Sequence, residues 1–311
     1  MGQPRLPVAE AFLVINFRYH VVSITSVFLA LAIGLILGTA ALNGPVANDL
    51  NGRVTELRKT NNELRGQVAE LDHQVKGGDA FVKQVAPTLL SGRLSGRRVL
   101  VVTTPGVDSA TKKATLEMLD LSGARVTGNL AFTDAFLDPA RSDDQVDLAT
   151  RLLPIGVPTL PANNNGVETS AALIGRVFAA GKSTVSDSSR TAILAGYSQL
   201  KFVEAGATVD PADAVIVISG VPLNGQDSDQ RNANVLTLVT QFAESFSRMV
   251  VAAPSSAGGG NVVAEVRDDS SLSKSVSTVD TLGSAEGRLA TVAALVERFA
   301  GKSGHYGTGG G

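Results

Sequence analysis

The chain has 311 residues, 44% of them apolar and 18% charged, with a formal net charge of -2. That is enough apolar material for one large domain or two small ones, while near-neutrality excludes the strong basic excess expected of a nucleic-acid-binding domain. With no cysteine, disulfides, zinc-thiolate sites and thiol catalysis are excluded too, and the redox compartment stays open.

The run Val21–Leu42, VVSITSVFLALAIGLILGTAAL, carries no charge and is long enough to span a bilayer core of roughly 30 Å. It predicts a transmembrane helix. A cleaved secretory signal would have a shorter apolar region, of about 7–15 residues, ending in an A-x-A-like site. Orientation is not decided by charge, because Arg5 and Arg18 precede the span while Arg53, Arg58 and Lys59 follow it. A short tail over residues 1–20 and a long segment after the span fit a signal anchor, with the N-terminus cytoplasmic and the bulk outside. Ala30, Gly34 and Gly38 recur every four residues and offer a close-packing stripe to a second membrane helix.

Asn43-Gly44-Pro45 predicts a helix break. Beyond it Leu50, Val54, Leu57, Asn61, Leu64, Val68, Leu71 and Val75 keep a 4-3 spacing, the seam of a coiled coil. The leucines fall at d and the valines at a, which favours a parallel homodimer, with Asn61 as the polar a residue that fixes register. An amphipathic helix packed on its own domain shows the same pattern, and Arg53 would face Arg58 across the dimer. The seam is expected to end near Gly77-Gly78, followed by a softer helical stretch to Pro87. Residues 43–90 thus read as a coiled-coil stalk.

From residue 91 to about 300 the pattern is an α/β domain with a largely parallel sheet. Arg98–Thr103, Ala214–Ser219 and Met249–Ala253 are short apolar runs of the kind buried on both faces. Arg125–Phe132 and Val262–Val266 are further predicted strands, with helices over 109–121, 142–153, 167–180, 186–198, 229–246 and 284–300. Ligands in such folds sit at strand carboxyl ends, here Thr103-Thr104-Pro105-Gly106, Gly220-Val221-Pro222 and Ala253-Pro254-Ser255. Residues 301–311 read as a Gly-rich tail.

No common enzyme motif occurs: no GxGxxG after a strand, no GxxxxGK[ST], no GxSxG and no HExxH. Gly258-Gly259-Gly260 leads into a predicted strand and lacks a Lys, so it reads as a flexible turn instead of a phosphate loop. Asp143, Asp144 and Asp147 read as a solvated helix face. The expectation is a protein that is not an enzyme, with no catalytic, cofactor-binding or metal residues assigned and no nucleic-acid partner.

Three separated segments, FRYHVVSITSVFLALAIGLILGTAAL, STVDTLGSAEGR and GHYGTG, resemble the MctB family of actinobacterial copper-transport proteins, and the likeness runs over nearly the whole chain. The resemblance implies a cell-envelope membrane protein and a role in copper efflux or homeostasis through a proposed outer-membrane pore. Copper enters by that resemblance alone, for Cu(I) prefers Cys, Met and His. The sequence offers no Cys, three Met and three His, and His20, His73 and His305 fall in separate segments. A membrane barrel would need at least eight strands of about 9–11 residues, unlike the short runs here. The apolar span has only Ser23, Thr25, Ser26 and Thr39 to line an ion path. The alternative reading is a non-catalytic dimeric scaffold for a cell-separation or envelope complex, working with another membrane or envelope protein.

Overall fold

The computed structural model describes residues 17–43, 45–181 and 185–309. Most of the expected N-terminal tail, Gly44 and the last two glycines lie outside them. Two compact units are present, Met1–Asp72 and His73–Gly311.

The first unit is helical. Helix α1 (Phe17–Asn43) contains the one described segment long and apolar enough to cross a membrane, Phe17–Ala40, and none of that segment is buried within the protein. Three of its hydroxyls turn inward to the helix backbone: Thr25 donates to the Val21 carbonyl at 2.7 Å, Ser26 to Val22 at 2.8 Å and Thr39 to Leu35 at 2.8 Å. Such back-bonding satisfies the hydroxyl within the helix itself. Helix α2 (Pro45–Leu90) begins at Pro45, the last residue of the expected break.

Within the second unit α2 continues through Gly77-Gly78 to Leu90, beyond the glycines expected to end it. A glycine costs a helix interior about 1 kcal/mol. Burial of Val82, Ala86 and Leu90 offsets that cost. Among the described residues seven strands follow in one sheet. They are β1 (Arg98–Thr103), β2 (Arg125–Phe132), β3 (Val203–Ala205), β4 (Ala214–Ile218), β5 (Met249–Ala252), β6 (Val276–Val279) and β7 (His305–Tyr306), in the order β3-β2-β1-β4-β5-β6-β7. Every pairing is parallel except β2 with β3, so the sheet is mostly parallel and mixed at one edge.

Side chains alternate between the two faces, as the two-residue period of a strand requires. Leu100, Val102, Val215, Val217 and Val251 join one buried cluster, and Val99, Val101, Ala214, Ile216 and Val250 the other. The first face is covered mainly by α6 (Gly166–Phe178) and α8 (Ser228–Ser245), the second by α3 (Ser109–Leu121) and α11 (Ala285–Phe299). The remaining α-helices among the described residues are α4 (Asp134–Leu137), α5 (Ser142–Leu152), α7 (Asp187–Gln199), α9 (Val262–Asp268) and α10 (Leu272–Ser275).

One expected strand is a helix. Val262–Val266 lies in α9, where Asn261 accepts from the backbone N–H groups of Val263 at 2.9 Å and Ala264 at 3.4 Å. The buried residues Val262, Val263 and Val266 follow i, i+1, i+4 spacing, one face of a helix turn. The glycine turn before it is real, with positive φ at Gly258 and Gly260, but it leads into this helix and not into a strand.

Candidate functional site

The chain runs outward from β1 through β2 to β3 and then returns to β4 on the other side of β1, which puts the topological switch point between β1 and β4, where such folds hold ligands. Here that crevice is closed by its own backbone. Thr104 bonds the Ile218 carbonyl through its N–H (3.0 Å), and its hydroxyl accepts from the Gly220 N–H (3.1 Å) while lying 3.3 Å from the Ser219 hydroxyl. A side chain on Gly220 would run into the Pro105 carbonyl, and the space left is about 10 Å³, the volume of roughly one water. The third expected strand end, Ala253-Pro254-Ser255, leads elsewhere, to a buried polar hub.

That hub is built around Asp280, one residue past the carboxyl end of β6. Its side chain is fully buried and accepts from the Arg267 guanidinium of α9 at 2.9 Å, the Ser256 hydroxyl at 2.8 Å, and the backbone N–H groups of Thr308 and Gly309, both at 2.8 Å. Arg267 spreads its other donors to the Thr278 hydroxyl (2.8 Å) and the Tyr306 carbonyl (3.0 Å). Burial pushes the Asp280 carboxyl up, but Arg267, the Gly309 N–H and Ser256 outweigh it and hold the group below the usual carboxylate range. Three donors meet Oδ2 and one meets Oδ1, so the hub acts as a clamp that draws Gly304–Gly309 against the sheet, where His305–Tyr306 pair as β7.

The adjoining residues extend the clamp. His305 Nδ1 lies 2.8 Å from the Thr278 hydroxyl, and burial followed by the nearby Arg267 charge pushes the imidazole below its ordinary value. Tyr306 donates its hydroxyl to Glu297, and burial first, then that carboxylate, pushes the phenol up to about 12. Ser284 caps α11 by accepting from the Gly287 N–H (3.1 Å), while Asp79 of α2 accepts from the Ala285 N–H (3.2 Å) and lies 3.8 Å from Arg288. The segments STVDTLGSAEGR and GHYGTG therefore meet, and together they tie tail, sheet and the end of α2.

Other residues singled out in the sequence stay apart. Leu50, Val54, Leu57, Leu64, Val68, Leu71 and Val75 are exposed on α2, from 36% at Val54 to 68% at Leu57, and Asn61 is exposed with them. Ala30 and Gly34 are exposed on α1, and a side chain at Gly34 or Gly38 would meet nothing. His20 lies on α1, His73 on α2 and His305 on β7. Among the described residues no three His, Cys, Asp or Glu side chains converge on a metal-sized site. Asp144 and Asp147 form surface ion pairs with Arg141 and Arg151. Asp280 falls within the segment STVDTLGSAEGR but sequence reasoning gives it no role, and Arg267 and Ser256 are not singled out, because no local pattern joins them to it across 13 and 24 residues.

The fold and hub define a class: an apolar-helix-led protein whose mostly parallel α/β unit is closed by its own C-terminal segment. A model of the family described as "Copper transport outer membrane protein, MctB" matches residues 14–311, and the chain belongs to that family. It is similar to proteins named "Copper transporter MctB" from Mycobacterium tuberculosis and Mycobacterium bovis, each 25% identical over 304 residues, covering 95% of this chain and 96% of the relative. The relative of the same name from Mycobacterium leprae is 26% identical over 308 residues, with the same two coverages.

Proposed function

We propose that this protein serves copper transport in the cell envelope as a membrane-anchored, non-enzymatic component. The observation that supports it is the family match, which runs from the apolar helix to the C-terminal clamp instead of covering one module. In this reading Phe17–Ala40 crosses a membrane, the N-terminus is cytoplasmic, and the α/β unit lies outside the cytoplasm. The described sheet is not the wall of a membrane pore. Its strands run from two to eight residues and are covered on both faces, whereas a barrel strand needs about 9–11 with one face to lipid.

Copper is cargo in this reading and not a resident ion. The three histidines sit on separate elements, and His305 is held by Thr278, so the chain is assigned no high-affinity store. The exposed Leu50–Val75 stripe is assigned to a second copy of the chain in a parallel coiled coil, because a row of leucines and valines at heptad spacing is unstable bare in water.

The test is cellular. Removing the gene from its host and loading the cells with copper should raise cell-associated copper severalfold by mass spectrometry, with the full chain restoring the original level. Unchanged copper content would overturn the transport reading.

A further inference from the structure

The opposite end of the sheet, where the strands begin, gathers positive charge. Arg97, at the residue before β1, and Arg248, at the residue before β5, both lie over the Phe299 ring, with guanidinium carbons 4.8 and 4.9 Å from its centroid. Arg298, the neighbour of Phe299 on α11, is buried with 9% of its surface exposed. It donates only to carbonyls, those of Ser247 (2.9 Å) and Lys302 (3.2 Å), and its Nε has no partner. Burial and then the Arg248 charge push its guanidinium below the ordinary value.

The carboxylates of this edge are already engaged. Asp213 takes the Arg98 side chain in a bidentate pair, at 3.1 and 2.7 Å, and Asp210 pairs with Arg125 at 3.3 Å. Among the described residues Arg97, Arg248 and Arg298 form no ion pair. The bland account is that cations complement the carboxyl end of α11, but a helix end supplies only about half a negative charge against three positive ones. Asp213 also lies within electrostatic reach of Arg97 and offsets part of the excess, but a net positive charge remains, two of its cations sharing one aromatic ring.

We infer that Arg97 and Arg248 over the Phe299 ring, with the Arg298 charge buried beside them, form a binding site for a phosphate-class oxyanion. Planar guanidinium forks match tetrahedral oxyanions, a phosphate group carries about two negative charges near neutral pH, and the shared ring holds two of the forks in place. The same chemistry is offered by a soluble phosphate ester and by a phospholipid headgroup. This site is independent of copper and lies at the other end of the sheet from the Asp280 clamp.

The test is calorimetry on the detergent-solubilised full chain with pyrophosphate at constant ionic strength, and in parallel with a short-chain phosphatidic acid against its phosphatidylcholine analogue. Saturable pyrophosphate binding weakened about tenfold or more in R97Q/R248Q, and less than twofold in R125Q, supports the site and a soluble ligand. Binding of phosphatidic acid alone, lost in the same double variant, supports the site with a headgroup as ligand. No saturable binding of either, or equal losses in R125Q and the double variant, overturns it. Circular dichroism on each variant confirms that the fold is kept.

Discussion

Asp280 and Arg267 meet at 2.9 Å with 0% and 12% of their side chains exposed, and between them they hold the last strand of the sheet. The pair is fully hydrogen-bonded, which is the condition under which a buried ion pair is tolerated. Arg267 reaches the Tyr306 carbonyl and Asp280 the N–H groups of Thr308 and Gly309, so a two-residue edge strand is secured mainly by side chains.

Asp280→Asn should cost about 3–5 kcal/mol, because Arg267 would keep its charge in a buried place with no counter-charge. Urea unfolding of the solubilised chain measures the loss, and hydrogen exchange locates it. Amides of residues 304–309 should lose protection first. Protection there equal to the parent would mean that the ladder to β6 is enough by itself.

Gly307 tests the same clamp through the backbone. Its φ is +121°, and a Cβ there would overlap the Asp280 carboxylate. Gly307→Ala should destabilise by about 1–3 kcal/mol from the strained backbone region, before the displaced carboxylate is counted. A melting temperature unchanged from the parent would show that the tail shifts without cost.

The clamp also carries a pH dependence. His305 is pushed below its ordinary value of 6.5, so as the pH falls through that value the unfolded chain takes up a proton that the folded one refuses. Stability is therefore whole above about pH 6.5 and declines below it until the folded-state value is passed. Asp280, also lowered, adds a second loss at more acid pH, below the ordinary carboxylate value of 3.8. His305→Asn should flatten the first decline and leave the second, as read from denaturation midpoints between pH 7.5 and 3. An identical profile in the variant would place the first transition elsewhere.

Much of this architecture is legible in the sequence, and the exceptions have physical reasons. The apolar runs at β1, β4 and β5 announce strands because both sheet faces are covered. Ser277 and Thr278 disguise β6, although both are buried: Ser277 accepts from the Gly304 N–H and Thr278 bonds with Arg267 and His305. β3 and β7 are too short to show a period. Val262–Val266 misleads because valines favour strands, whereas the Asn261 cap and tertiary burial favour a helix. Both halves of the clamp stand out as the segments STVDTLGSAEGR and GHYGTG, but their contact is not legible, since the carboxylate and its backbone donors lie 28 and 29 residues apart.

The seam on α2 gives the last prediction, which bears on pairing and not on copper. Leu57 and Leu64 are 68% and 53% exposed and occupy successive d positions. Changing both to Asp removes two apolar contacts of about 1.5–3 kcal/mol each when fully buried, and sets like charges against each other across the interface. The solubilised full chain should then fall from dimer to monomer mass by light scattering, with its helix content kept. Asn61→Val should act in the other direction, tightening association while loosening the choice of oligomer, because a polar residue at one a position trades stability for register. If the Leu57 and Leu64 double variant kept its dimer mass, α1, with its small residues Ala30, Gly34 and Gly38, would become the remaining surface to test. If the parent chain itself were monomeric, the stripe would have to be covered by a different protein.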